Sequence, residues 1–302
     1  QPVVRCDGGA WRRLERGRPL THRDGRGDAC WTLPDAAACL EVAFCLPYEQ
    51  DDLDRLVAST GLRLQAVGAS EHGRPLLRLD NGPGEAGSTR PGLYVLARQH
   101  SGETPGSWVL DGLLTRIAEL GAAAPLTWAA PFADTDGVHE GRYGKDRHPV
   151  DINRAWPGQD SNPRRHEVLC WRQDIWRFRA RCRPALLLDL HAPGACERTG
   201  AYAFTPPDGS GAVPAAVSAW AERLGGALGP PWAAEQDFAR IGRYPGRWPR
   251  DTHFSCTRWA VQEGLSALAI ETSYQGQGER AFLAEDYRAI GRRLADAVAG
   301  SR

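Results

Sequence analysis

The chain has no methionine, six isoleucines, three asparagines and one lysine, Lys145, among 302 residues, against 34 glycines, 22 prolines and abundant alanine and arginine. Such a bias looks like GC-rich coding pressure, which turns almost every exposed cation into arginine. A lysine that survives it suggests a place where ammonium and guanidinium are not interchangeable. The absent Met also reads as a processed or trimmed start. Charge of one sign is lacking too: 37 Lys+Arg balance 37 Asp+Glu, so no excess drives binding to nucleic acid or to an anionic membrane. No apolar run approaches the roughly 20 residues of a membrane span, and no basic-then-apolar signal pattern opens the chain. A cytoplasmic protein is expected. The eight cysteines form no C-x-x-C pair, which leaves a zinc ribbon or thioredoxin-type motif unsupported; they are expected to be reduced and mostly buried.

What is present suits a large core. Apolar residues make up 42% with 11 tryptophans, and at this length about three quarters of the unfolded surface should be buried. Residues 1–47, rich in Arg, Gly and Asp with short apolar pieces, are expected to form a small β module of a few strands and turns. From Tyr48 a larger domain, 48–302, follows. Its pattern predicts a short helix at 51–59, a strand at 93–97 running into Arg98-Gln99-His100, and a helix with Trp108, Leu110, Leu113, Leu114 and Ile117 inward. Further strands are predicted at 126–132, 185–190 and 265–274, and helices at 167–179, 213–228 and 283–298. Strands alternating with helices imply an α/β sheet covered on both faces.

Chemistry-bearing residues collect at the ends of these strands, where open α/β sheets place their sites. His100 and Glu103 are three apart across a turn, and His191 leaves a strand with Asp189 two residues earlier, on the same face, to hold its ring. Two His and one carboxylate with an open fourth position is the pattern of a catalytic zinc. Taken alone, H-x-x-E arises by chance, and His191 reads equally as a core histidine bonded to neighbouring backbone. Asn153-Arg154 offers an amide beside a planar five-donor fork suited to a carboxylate; otherwise it is a turn with a surface cation. Glu271 ends an apolar strand, either as a strand-end charge or as a carboxylate raised toward the pKa of a general base.

In their order these elements resemble the zinc carboxypeptidase family of metallopeptidases, M14: H-x-x-E at His100 and Glu103, N-R at Asn153 and Arg154, a later strand-end His191, and E-T-x-Y around Glu271. The likeness covers roughly 48–299. The segment 41–48 followed by Asp51-Asp52-Leu53, together with Gln99-His100 and Gly106-Ser107-Trp108, is similar to the cytosolic carboxypeptidase branch, in which a small β domain precedes the catalytic one. A bacterial relative of that branch fits best. The resemblance implies an α/β fold with a mixed, mostly parallel eight-stranded sheet and helices on both faces. It also implies one zinc per chain on His100, Glu103 and His191, Glu271 as the base that deprotonates the attacking water, and Asn153 with Arg154 on the substrate's terminal carboxylate.

Two departures stand out. Gly144 occupies the position of the family's oxyanion-stabilising arginine, leaving Lys145, Arg147 or Arg142 for that task, and Ala192-Pro193-Gly194 lacks the usual polar pair after the histidine. The family's mobile tyrosine has its nearest counterpart in Tyr244, with Trp248 competing. The implied activity is zinc-dependent hydrolysis of the amide bond of a C-terminal residue, on a peptide or amino-acid conjugate with a free carboxylate. The alternatives are a deacylase of N-acyl amino acids on the same scaffold and a non-catalytic carboxylate binder, the latter opposed by the complete ligand set and Glu271. The many arginines between 240 and 258 would suit an acidic terminal residue, although with lysine almost absent they also read as solvated surface cations.

Overall fold

The computed structural model describes residues 1–15, 17–21, 27–33, 38–146, 150–157, 162–205, 212–241 and 255–300, in two compact units, Gln1–Pro47 and Tyr48–Arg302. The first unit holds β1 (Val3–Cys6), β2 (Arg12–Arg13), β3 (Arg18–Thr21), β4 (Gly27–Cys30) and β5 (Leu40–Ala43). β1 lies between β2 and β5 in an antiparallel sheet, and β3 pairs with β4 as a separate hairpin.

The second unit begins with α1 (Gln50–Thr60), whose Leu53 and Leu56 are buried and which stops at Gly61 in a left-handed conformation. An antiparallel pair follows, β6 (Arg63–Ala69) and β7 (Pro75–Asp80), then β8 (Pro91–Ala97), α2 (Thr104–Leu120), β9 (Leu126–Ala130) and α3 (Thr135–His139). After a 3-10 turn at Ile152–Arg154 come α4 (His166–Arg179), β10 (Arg183–His191), β11 (Thr199–Thr205), α5 (Ala215–Leu228) and β12 (Ala239–Ile241). The unit closes with α6 (Cys256–Gln262), β13 (Ala267–Gln277), β14 (Arg280–Ala281) and α7 (Ala284–Ala299).

The sheet runs β12-β11-β13-β10-β8-β9-β7-β6, eight strands as expected, with short β14 added on β13 as a ninth. Its centre is parallel (β13, β10, β8 and β9), while β11 and β7 run antiparallel to it at the two sides, with β12 parallel to β11 and β6 antiparallel to β7. The period-2 alternation of the central strands divides the core. Tyr94, Leu96, Leu126, Trp128 and Ala130 join Trp171, Ile175 and Phe178 of α4 and Trp259 of α6 in one cluster, while α2 and α7 pack together elsewhere.

The α2–α7 crossing depends on two glycines. A Cβ on Gly291 would stand 1.9 Å from the Val109 carbonyl oxygen, and one on Gly112 would stand 2.1 Å from that of Arg288. The backbones therefore approach more closely than any side chain allows.

Several expectations shift at their edges. The strand expected at 126–132 ends at Ala130, that at 265–274 runs Ala267–Gln277, and the helix expected from 213 starts at Ala215 because Pro214 caps it. β6, β7, β11 and β12 were not singled out in the sequence; β6 lies at the sheet edge, largely exposed, and so carries no apolar alternation. None of the eight cysteines is joined in a disulfide, but only Cys45, Cys170, Cys182 and Cys256 are buried, half rather than most, because Cys30, Cys39 and Cys196 lie exposed. Among the described residues no helix is long and apolar enough to cross a membrane.

Candidate active site

Parallel pairing brings the strand ends together. In register, Leu190 stands beside Ala97 and His191 beside Glu271, so β8 and β10 finish next to Glu271; that residue, expected at a strand end, lies inside β13, which runs on to Gln277 to pair with β11 and β14. β8 does not end passively. Arg98 takes a left-handed φ of 62°, a conformation that costs a non-glycine residue about 1–3 kcal/mol and persists only where its surroundings over-determine it. Its buried guanidinium donates to the Ser101 and Tyr48 carbonyls and to Ser107 Oγ, while its own carbonyl accepts from the Asp134 amide. This turn sends Gln99 into the core and His100 toward His191.

Glu103, at the N-terminus of α2, lies between the two rings. Its Oε1 is 2.9 Å from His100 Nδ1 and its Oε2 is 2.8 Å from His191 Nδ1; Oε2 also accepts from the Ala192 amide at 3.0 Å. The three donor groups lie within 4.8 Å of one another and all are buried. Each ring turns its other nitrogen to a second carboxylate, His191 Nε2 to Asp189 Oδ2 at 3.0 Å and His100 Nε2 to Asp151 Oδ1 at 3.4 Å. Imidazoles backed by carboxylates on the far side are oriented as metal ligands. Two nitrogen donors and one oxygen donor converging this way suit a metal ion with room for a further ligand.

The charges are mutually dependent. Burial alone would raise the Glu103 carboxyl, but the flanking His100 and His191 hold it well below the ordinary carboxylate range. Burial would lower His191, yet Asp189 and Glu103 raise it well above its usual value. Glu271 is different. Burial pushes its carboxyl up to about 7, against the pull of His191, and its Oε2 has no hydrogen-bond partner among the described residues.

Lys145 reaches this cluster, its Nζ 2.8 Å from Glu103 Oε1, and it stays charged because Glu103 outweighs the penalty of burial. Gly144 beside it has φ +99°, and a Cβ there would fall 2.4 Å from the Ser101 amide and 2.9 Å from His100 Cα. The chain is pressed onto the histidine turn at this point, so no arginine side chain fits at 144. Arg142 bonds Glu140 at 2.6 Å on the surface instead. Arg147, Tyr244 and Trp248 lie outside the described residues.

Asn153 and Arg154 sit in the 3-10 turn, which Asp151 caps by accepting the Arg154 amide at 2.9 Å. The same Asp151 oxygen faces His100, so one carboxylate serves both the ring and the turn. Asn153 is buried, with its Oδ1 facing the Cys256 amide at 3.4 Å. Sequence reasoning did not assign Asp151 or Gln99 to the site; the available signal was their place, three residues before Arg154 and directly before His100. A second group, His72, Asp136 and Glu140, is an ion-pair network, since Arg74 binds Asp136 at 2.7 Å and Arg142 binds Glu140.

No family model matches the chain. Over 111 residues, 34% of the chain, it is 29% identical to cytosolic carboxypeptidase 1 of Mus musculus, and that stretch is 9% of the mouse protein. The chain thus spans a small part of the length of this curated relative. Among solved structures it is similar to a metallo-carboxypeptidase from Burkholderia cenocepacia, with TM-score 0.72 and 19% identity, covering 99% of this chain and 79% of that one. It is also similar to a metallo-carboxypeptidase from Pseudomonas aeruginosa in complex with (2-guanidinoethylmercapto)succinic acid, with TM-score 0.73 and 21% identity, covering 99% of this chain and 80% of that one. The resemblance carried by the motifs is borne out, and the fold is that of the metallo-carboxypeptidases.

Proposed function

We propose that the chain is a zinc-dependent carboxypeptidase that releases the C-terminal residue of a peptide or amino-acid conjugate. One observation carries the reading: two imidazole Nδ1 atoms and a carboxylate converge beside a buried Glu271 that stands in register with His191 and has an oxygen to spare. His100, Glu103 and His191 would hold the zinc. When bound, the metal polarises the scissile carbonyl and lowers the pKa of the attacking water.

The remaining work falls to side chains. Glu271 takes a proton from the attacking water as the new C–O bond forms, then delivers it to the leaving nitrogen as the C–N bond breaks. Burial that raises a carboxyl toward neutrality suits both halves of this transfer. Arg154 and Asn153 grip the terminal carboxylate of the substrate through a planar fork and an adjacent amide. Lys145 supplies positive charge near the oxyanion that develops on the carbonyl, a contribution made in the transition state rather than the ground state.

The succinic acid derivative bound by the Pseudomonas aeruginosa protein is in keeping with a site for carboxylates. The deciding experiment is a screen of dipeptides, their C-terminal amides and N-acyl amino acids with the zinc-loaded protein. Release of free amino acid from unmodified peptides is expected. Turnover of N-acyl amino acids alone would instead make the protein a deacylase, and binding without turnover would make it a carboxylate-binding relative.

A further inference from the structure

We infer that Gln99 is a positioning residue for the metal centre, bridging Trp156 to Asp189, the carboxylate that stands behind His191 Nε2. This rests on the reading of His191 as a ligand and goes one step behind it. Gln99 is fully buried, as is Trp156, and Asp189 is nearly so. The three side chains form a line: Trp156 Nε1 lies 2.7 Å from Gln99 Oε1, and Gln99 Nε2 lies 2.6 Å from Asp189 Oδ2. That same Oδ2 is 3.0 Å from His191 Nε2.

The direction of the line follows from the chemistry of its first member. An indole N–H can only donate, so the Gln99 atom facing it must be the carbonyl oxygen. The other end of the amide is then NH2, which donates to Asp189. The Asp189 oxygen held in this way, Oδ2, is the one that stands 3.0 Å from His191 Nε2, so Gln99 fixes where that carboxylate sits behind the ring. The ring's other nitrogen, Nδ1, faces Glu103 at 2.8 Å. Turning the amide over would set NH2 against an N–H and a carbonyl against a carboxylate, two repulsions with no water to relieve them.

A second feature separates this arrangement from ordinary core packing. Trp156 lies two residues beyond Arg154 and packs against Trp259 with ring centroids 5.1 Å apart. The line therefore anchors the segment carrying the proposed carboxylate clamp to a proposed metal ligand. Behind His100, Nε2 faces Asp151 Oδ1 at 3.4 Å, an oxygen that accepts the backbone amide of Arg154 rather than a buried side-chain amide.

The test measures zinc affinity of the full chain by competition with a chromophoric chelator, alongside the visible spectrum of the cobalt-substituted protein and thermal stability. Gln99→Leu should lower affinity about 10- to 100-fold, the scale found for groups that orient a ligand. Trp156→Phe, which removes only the indole donor from this line, should lower it less. The double variant should be no worse than Gln99→Leu alone, because both changes break one line. If Gln99→Leu does not fold, Gln99→Asn, one methylene too short to reach both partners, carries the same expectation. Wild-type zinc affinity and an unchanged cobalt spectrum in the Gln99 variant, or strictly additive losses in the double variant, would overturn the inference while leaving the metal centre intact. Failure of the wild type itself to take up zinc would remove the metal-centre reading, and this inference with it.

Discussion

The single lysine of the chain, Lys145, places its Nζ 2.8 Å from Oε1 of the buried Glu103. The neighbouring Gly144 has no room for a side chain against the His100–Ser101 backbone, so a cation for this site has to come from another position. Lys145→Ala should therefore reduce turnover about 10²- to 10³-fold with little change in KM, the scale of one oxyanion-stabilising group. Arg147→Ala in parallel separates the two candidates, and wild-type turnover in Lys145→Ala would hand the task to Arg147.

Elemental analysis of zinc-loaded protein should find one zinc per chain. His100→Ala and His191→Ala should each abolish stoichiometric uptake, since three protein donors leave no redundancy. Retention of a full equivalent by either variant would show that the metal sits elsewhere.

Glu271→Gln should bind zinc and substrate normally but lose about 10² to 10⁴ in turnover. The base works as the carboxylate, so activity should fall as pH drops through its pKa. Burial holds that value at about 7, and a cation held by the neighbouring triad would favour the charged form and lower it. The acid limb of kcat/KM is thus expected at or below pH 7 and should vanish from the residual activity of Glu271→Gln.

Arg154→Ala should raise KM for peptides with a free C-terminus far more than it lowers kcat. Blocking that terminus as the amide should mimic the loss in wild type, because the charge-assisted pair is removed from the other side. Equal hydrolysis of a peptide and its amide would contradict the assignment.

Gly291→Ala tests the fold rather than the site. With the added methyl 1.9 Å from the Val109 carbonyl oxygen, α2 and α7 must separate, at about 1–3 kcal/mol for an overpacked interface. A lowered Tm with undiminished zinc content is expected, and an unchanged Tm would mean that the helices can move apart freely.

The sequence alone carried the α/β alternation, because buried parallel strands such as the one holding Leu186–Leu188 write themselves as unbroken apolar runs and α2 repeats its apolar residues at helical spacing. It also carried the metal-binding candidates, since His100, Glu103 and His191 stand in an order with Asn153-Arg154 and Glu271 that is far more specific than any one of these motifs alone. Edge strands were less legible: β6 is solvated on most of its length, and solvation leaves no pattern. Tertiary structure alone decided which nitrogen of each histidine faces Glu103 and that Lys145 reaches it. It also decided that Gln99 and Trp156 stand behind His191 and that Asp151 serves both His100 and the Arg154 turn. Apart from the short spans His100–Glu103 and Asp151–Arg154, these are relations between side chains 42 to 90 positions apart. Local periodicity reports only on neighbours along the chain, whereas a hydrogen-bond line in a core is fixed by strand register and by what each buried polar atom must find.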